Sequence, residues 1–257
     1  MEASARTKRI HVGEVIGETF SIYGRNFLPL IGSAIILFLV VAVVAALLTG
    51  PSRNDISFGE LLLVLLAVII RLAATALYTG FVVRLVEDAR DRRREFTIGE
   101  LFSSAAPAIV PLIAMSILFG IGVGIGLFLL IIPGLILLTI WAVTAPAIVV
   151  EGAGAIESFG RSRELVRGEG WSVFWTIVVV WLITAVITFV FGLIGDALEG
   201  VWYGVAISLA SFVTAPIHSL AASVMFFNLG GGGPETTAPP AGSAPPAPPT
   251  PPPAPAA

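Results

Sequence analysis

The 44 residues from Pro107 to Val150 contain no ionisable side chain. As one straight helix they would extend roughly 66 Å at about 1.5 Å per residue, twice the hydrocarbon thickness of a bilayer, about 30 Å. The stretch must therefore cross a membrane twice. Its natural break is Pro133-Gly134, where proline can open a new helix and glycine permits the turn.

Four further runs are long and apolar enough to span: Phe27–Leu48, Leu61–Val86, Trp171–Gly195 and Val201–Asn228. Six spans result, and composition agrees. Only 12% of residues are charged and 56% are apolar, against about 25% charged in an ordinary soluble domain. Cysteine is absent, which excludes disulfides, thiolate metal sites and cysteine nucleophiles. The net charge of −3 gives no reason to expect a nucleic-acid partner. Residues 1–24 are too polar for the apolar core of a secretory signal, and the first apolar run is expected to remain as a span.

Arginine and lysine set the orientation. Arg6, Lys8, Arg9 and Arg25 precede the first span. Arg84, Arg90, Arg92, Arg93 and Arg94 follow the second, and Arg161, Arg163 and Arg167 follow the fourth. With alternating spans these twelve lie on one side and Arg53 alone on the other, so both termini are expected in the cytoplasm. From Arg84 to Glu95, five arginines face four acids. That near-neutral balance favours topology control over lipid attraction.

Each odd-numbered span is preceded by a segment expected to lie at the membrane interface. Val12, Ile16, Phe20, Tyr23 and Phe27 recur at helical spacing, with Glu14, Glu18, Ser21 and Arg25 opposite. Thr97 and Glu100 have capping-box spacing ahead of Leu101, Phe102 and Ala105. Residues 155–168 put Glu157 and Arg161 four apart, with Ile156, Phe159 and Val166 on one side. The expected fold is an all-α membrane protein of three transmembrane hairpins, each preceded by an amphipathic interfacial helix. Residues 1–26 form the tail and first interfacial helix, residues 27–229 the transmembrane domain, and residues 230–257 a disordered tail. In that tail Gly230–Gly233 is expected to be flexible, and eleven of the residues 234–257 are proline.

An internal repeat points the same way. Val143-Thr144-Ala145-Pro146-Ala147-Ile148 matches Val213-Thr214-Ala215-Pro216-Ile217-His218, and Ala74-Thr75-Ala76-Leu77 is a weaker copy. Thr75, Thr144 and Thr214 stand 69 and 70 residues apart, which predicts a threefold placement about the membrane normal.

The order Ile132-Pro133-Gly134-Leu135-Ile136-Leu137, Ala145-Pro146, Val149-Val150-Glu151-Gly152, Arg161-Ser162, Glu164-Leu165-Val166-Arg167-Gly168 and Trp171 resembles the membrane domain of bacterial glycerophosphoryl diester phosphodiesterases. The resemblance runs from about Val12 to Leu229, with its specific part at Pro133–Trp171. It implies a stand-alone membrane module in a bacterial cell membrane. It does not imply phosphodiesterase activity, because no catalytic barrel follows residue 228 in this sequence.

Motifs for catalysis, metal binding or cofactor binding are missing: only His11 and His218 could offer imidazole, and no phosphate loop or nucleophile elbow occurs. No enzyme activity and no cofactor are expected. The candidate intramembrane polar site is Arg71, Thr75 and Thr79 on span two with Ser211, Thr214 and His218 on span six. Arg71 sits near the middle of its span, where a charge costs about 2.5–3.5 kcal/mol. Two readings stand: a cavity holding an anionic group against Arg71, or Arg71 bonding the carbonyls that Pro146 and Pro216 leave without donors. Gly120, Gly122, Gly124 and Gly126 form overlapping GxxxG pairs and predict close helix contact, within the bundle or between copies of the chain. The function expected is an accessory module with lipid, and with a protein partner or a second copy, as its partners; the alternative is a carrier or lipid-handling protein built around Arg71.

Overall fold

The computed structural model describes residues 11–49, 58–91, 97–198 and 201–232. Among these the regular secondary structure is all helical: α1 (Val12–Arg25), α2 (Phe27–Thr49), α3 (Phe58–Asp91), α4 (Ile98–Ala105), α5 (Ile109–Leu129), α6 (Ile131–Ile140), α7 (Thr144–Glu151), α8 (Ala155–Val166), α9 (Gly170–Leu198) and α10 (Val201–Asn228). Six stretches are long and apolar enough to cross a membrane, α4–α5 and α6–α7 each counting as one. The protein is an all-α, multi-pass membrane protein. Its spans pair as three hairpins, α2–α3, α5–α6/α7 and α9–α10, and α1, α4 and α8 precede them in turn. Residues 233–257, Arg92 to Arg94 and Arg53 lie outside the described residues.

The second hairpin turns at Leu130, whose backbone is extended (φ −157°, ψ 132°), three residues before the expected break. Proline 133 then sits in the first turn of α6, where its missing N–H costs nothing. Gly134 serves a different purpose. It lets α6 close on α5, because a Cβ there would stand 2.6 Å from the Leu127 backbone nitrogen, and one at Gly126 would stand 2.9 Å from Gly134 Cα. Gly122 likewise makes room for the Trp141 ring. Nothing lies within 4 Å of a Cβ built at Gly120 or Gly124. Of the two GxxxG pairs, then, Gly122 and Gly126 pack inside the hairpin and Gly120 and Gly124 do not.

The three short helices are braces against the bundle, each with one packed face. On α1 that face is Val15, Thr19 and Ile22, while Phe20 is exposed, so the stripe of Phe20 and Phe27 turns toward the lipid boundary. The rotation has a cause: Glu18 points at the end of α3, where Arg90 Nη2 reaches it at 2.7 Å. The same guanidinium donates to Asn228 Oδ1 at 2.8 Å and lies over the Phe227 ring at 5.1 Å. Arg84 pairs with Glu87 at 2.7 Å. Arg90 therefore knits the ends of α1, α3 and α10, while the Arg84 pair stays within α3.

Helix α4 opens with the expected capping box, Thr97 N–H donating to Glu100 Oε2 and Glu100 N–H to Thr97 Oγ1. Its Phe102 stacks on Phe81 of α3, centroids 4.4 Å apart. On α8 the expected Glu157–Arg161 pair does not form. Glu157 accepts from Gly154 N–H at the helix start, and Arg161 turns to Glu151 at the end of α7. Arg161 donates to both carboxylate oxygens, at 2.8 and 3.0 Å, and this bonding holds its guanidinium above its ordinary value. The residues after α10 join the same cluster. Gly232 N–H donates to Glu151 Oε1 at 3.1 Å, while Gly231 presses on the Phe226 ring and Gly230 and Gly232 have φ of 89° and 71°. Gly230–Gly232 thus form a turn docked against Glu151 and Phe226, and the tail expected beyond them lies outside the described residues.

Span four is broken. Between α6 and α7 the chain leaves the helix at Trp141–Val143, within the membrane-spanning stretch. Ser162 of α8, fully buried, repairs the gap: its Oγ donates to the Ile140 carbonyl at 2.8 Å and accepts from Val143 N–H at 3.2 Å. Loss of that hydroxyl orphans a donor and an acceptor in a medium without water. Ser162→Ala is expected to destabilise the protein by about 1–3 kcal/mol, seen as a lower midpoint of thermal unfolding in detergent. Ser158→Ala is the comparison, since its hydroxyl serves only the Ala155 carbonyl of its own helix.

Candidate functional site

The break in span four lies on the wall of a cavity of about 470 Å³ enclosed by α3, α5, α6, α7, α9 and α10. Trp141 and Ala142 of the break line it, followed by Thr144 and Pro146 of α7. Irregular backbone at membrane depth survives only inside protein or beside a cavity, and here it has both, Ser162 behind and open space in front. Pro146 has no N–H to offer the Ala142 carbonyl, so that acceptor is left on the cavity side of the chain.

The lining is mostly apolar, with a patch of polar groups on several helices. Thr75 and Thr79 come from α3, Ser116 from α5, Thr144 from α7 and His218 and Ser219 from α10. Three of the hydroxyls already spend their protons. Thr75 donates to the Arg71 carbonyl at 2.9 Å, Ser116 to the Leu112 carbonyl at 2.7 Å and Thr144 to the Trp141 carbonyl at 3.0 Å. They face a ligand as acceptors. His218, Trp141 and Trp181 also line the cavity, and their rings are of the kind that can donate an N–H. Trp141 is positioned edge-on by Phe159 of α8 at 4.7 Å, so the same short helix that mends the break also sets one wall. Thr75, Ser116, Trp181 and His218 keep substantial exposure, which places the mouth on the lipid-facing side of the bundle.

Of the six residues expected to form the polar site, Thr75, Thr79 and His218 come together here. Ser211 and Thr214 do not line the cavity; each donates to a carbonyl of its own helix. The threefold equivalence of Thr75, Thr144 and Thr214 therefore does not extend to the site, which takes two of them. Arg71 is exposed, one helical turn beyond Thr75, and among the described residues its guanidinium has no hydrogen bond or ion pair. It does not bond the carbonyls near the prolines. Ser162 serves the break ahead of Pro146, and Tyr23 of α1 donates to the Val213 carbonyl, 3.1 Å away, in the turn before Pro216. Burial raises the Tyr23 phenol above its ordinary value, which keeps it a donor.

Sequence reasoning missed Ser162, Ser116 and Trp141. The first lies on a segment whose polar pattern resembles a solvated helix. The other two stand singly in apolar runs, with no periodic signal to mark them.

No curated protein and no solved structure matches the chain. A family model described as a domain of unknown function (DUF7847) matches residues 56–232, which takes in all of the cavity-lining residues, and the chain belongs to that family.

Proposed function

We propose that the chain is a lipid-handling membrane module which holds one small amphiphile in the cavity beside the α6–α7 break, and that it acts by binding and not by catalysis. The observation that carries this reading is the coincidence of a discontinuous span with a polar-patched cavity at membrane depth. Broken spans are costly in lipid, and their recurrent use is to present backbone and side-chain polar groups to a ligand. A volume near 470 Å³ suits a single headgroup or chain segment. A purely structural accessory module, the function favoured by sequence, leaves both the break and the space unexplained; a protein partner or a second copy remains compatible with either.

The positive-inside bias of the arginines supports cytoplasmic termini and, with them, a cavity in the cytoplasmic half of the bilayer. The lining residues of α5 and α9 lie in the first halves of those helices, those of α10 in its last half, next to the arginine-bearing ends. Resemblance to the membrane domain of glycerophosphoryl diester phosphodiesterases supports a bacterial cell membrane.

The test is recovery of bound lipid. Purified in mild detergent, the wild-type chain is expected to retain a defined amphiphile by mass spectrometry. Ala222→Phe, which fills the cavity from α10, should lower that recovery at least tenfold while the protein stays monodisperse. Equal recovery from both would sink the cavity reading.

A further inference from the structure

We infer that the ligand is an anionic amphiphile and that Arg71 is the group that selects it; this rests on the cavity reading above. Among the described residues, Arg71 and His218 are the only arginine, lysine, histidine or acidic side chains well inside the six spans. His218 lines the cavity, and Arg71 stands one turn outward from Thr75 on the same face of α3. Since α3 and α10 both run toward the arginine-bearing end, Thr214 occupies the matching outward turn beyond His218.

The three partly buried arginines each have an acid, Arg84 with Glu87, Arg90 with Glu18 and Arg161 with Glu151, and the exposed Arg25, Arg163 and Arg167 lie outside the spans. Arg71 has none among the described residues. Its neighbours on α3 in the outward direction, from Leu61 to Ile69, are apolar and mostly exposed. Arg71 lies eleven residues from Glu60 and thirteen from Arg84, so either interface is about 15 Å or more away, further than an arginine can snorkel. A cation in that position is stabilised by an anion brought to it. The lipid-facing mouth beside Thr75 is the route by which one arrives, its apolar body entering the cavity and its charged group stopping at the guanidinium. Phosphate and carboxylate both match the bidentate fork.

The experiment uses the full-length chain in phosphatidylcholine nanodiscs. Phosphatidylglycerol and phosphatidylcholine, each with a brominated acyl chain, are titrated separately in a background carrying Trp171→Phe, Trp175→Phe, Trp181→Phe and Trp202→Phe, whose indoles are exposed to bulk lipid, so that quenching of the remaining tryptophan reports occupancy near Trp141. With Arg71 in place this chain is expected to prefer the anionic lipid by about tenfold or more. Arg71→Gln should bring that preference close to one while leaving quenching by both lipids in place, and Arg71→Lys, which keeps the charge, should retain most of it. Ala222→Phe should abolish saturable quenching by either lipid. An undiminished preference in Arg71→Gln overturns the inference and leaves the cavity reading standing. Unchanged quenching in Ala222→Phe overturns the cavity reading itself, and the inference with it. Displacement of phosphatidylglycerol by inorganic phosphate at equal concentration overturns the assignment to an amphiphile, because the anion alone would then suffice.

Discussion

Arg161→Ala is expected to destabilise the protein by about 2–4 kcal/mol, the largest loss among its arginines. The Glu151 carboxylate is only 5% exposed, and Arg161 meets it through two hydrogen bonds. Removing one member of a buried pair typically costs about 3–5 kcal/mol, because the remaining charge is stranded. Arg161 itself is 28% exposed, so solvent screening trims that figure. Glu164 lies 3.6 Å from the guanidinium but is 73% exposed, and it adds little. After the substitution the carboxylate keeps Gly232 N–H as its partner, too little to balance a full charge. The loss should appear as a lower unfolding midpoint in detergent. Adding Glu151→Gln to the variant removes the stranded charge and should return part of the stability. A double variant no more stable than Arg161→Ala would refute that explanation. Arg163→Ala, at an exposed position of the same helix, is expected within about 0.5 kcal/mol of wild type.

Gly134→Val should prevent the second hairpin from closing. A Cβ at position 134 would lie 2.5 Å from the Leu127 side chain and 2.6 Å from its backbone nitrogen. A side chain can turn away, but the backbone of α5 cannot, so α6 would have to move off it. The cost then exceeds the about 1–3 kcal/mol usual for overpacking. The displacement would also pull Trp141 from the Gly122 notch and deform the cavity wall. The expected result is protein that fails to elute as a single species in detergent. Gly124→Ala is the matched control: the position is open, and alanine is the better helix former by about 1 kcal/mol. Equal behaviour of the two variants would show that Gly134 is not a close-approach position.

Both predictions concern features that were partly legible in sequence. The glycine spacing of α5 marked a contact, yet 120/124 and 122/126 read alike; only the position of α6 tells which pair is covered. Pro133 and Gly134 announced a turn, but the turn falls at Leu130, since proline is tolerated in the first helical turn and need not occupy the bend. The Thr97–Glu100 cap was readable because capping is local, four residues satisfying one another. Glu157 and Arg161 had helical spacing too. Their pairing failed because a nearly buried carboxylate from another helix competes better for the guanidinium than an exposed one on the same helix.

At the candidate site the division is similar. Arg71, Thr75, Thr79 and His218 stood out as polar groups in apolar runs, a signal hydropathy makes visible. Which of them share a cavity depends on how α3 and α10 are rotated against α5, α7 and α9. Ser162, without which the break in span four would leave backbone groups unpaired, comes from a segment outside the spans and gave no sign in the pattern.

By itself the sequence determined six crossings, an all-helical chain and an arginine-bearing side. Apolar length, backbone satisfaction in lipid and loop charge act segment by segment and need no knowledge of neighbours. The tertiary structure alone decided that a broken span borders a cavity, that short helices brace the bundle through Ser162, Glu18 and Arg161, and that Arg71 stands without a partner among the described residues. In an apolar bundle the hydropathy of every face is nearly the same, so the few polar side chains and close-approach glycines choose the packing, and their partners lie tens of residues away.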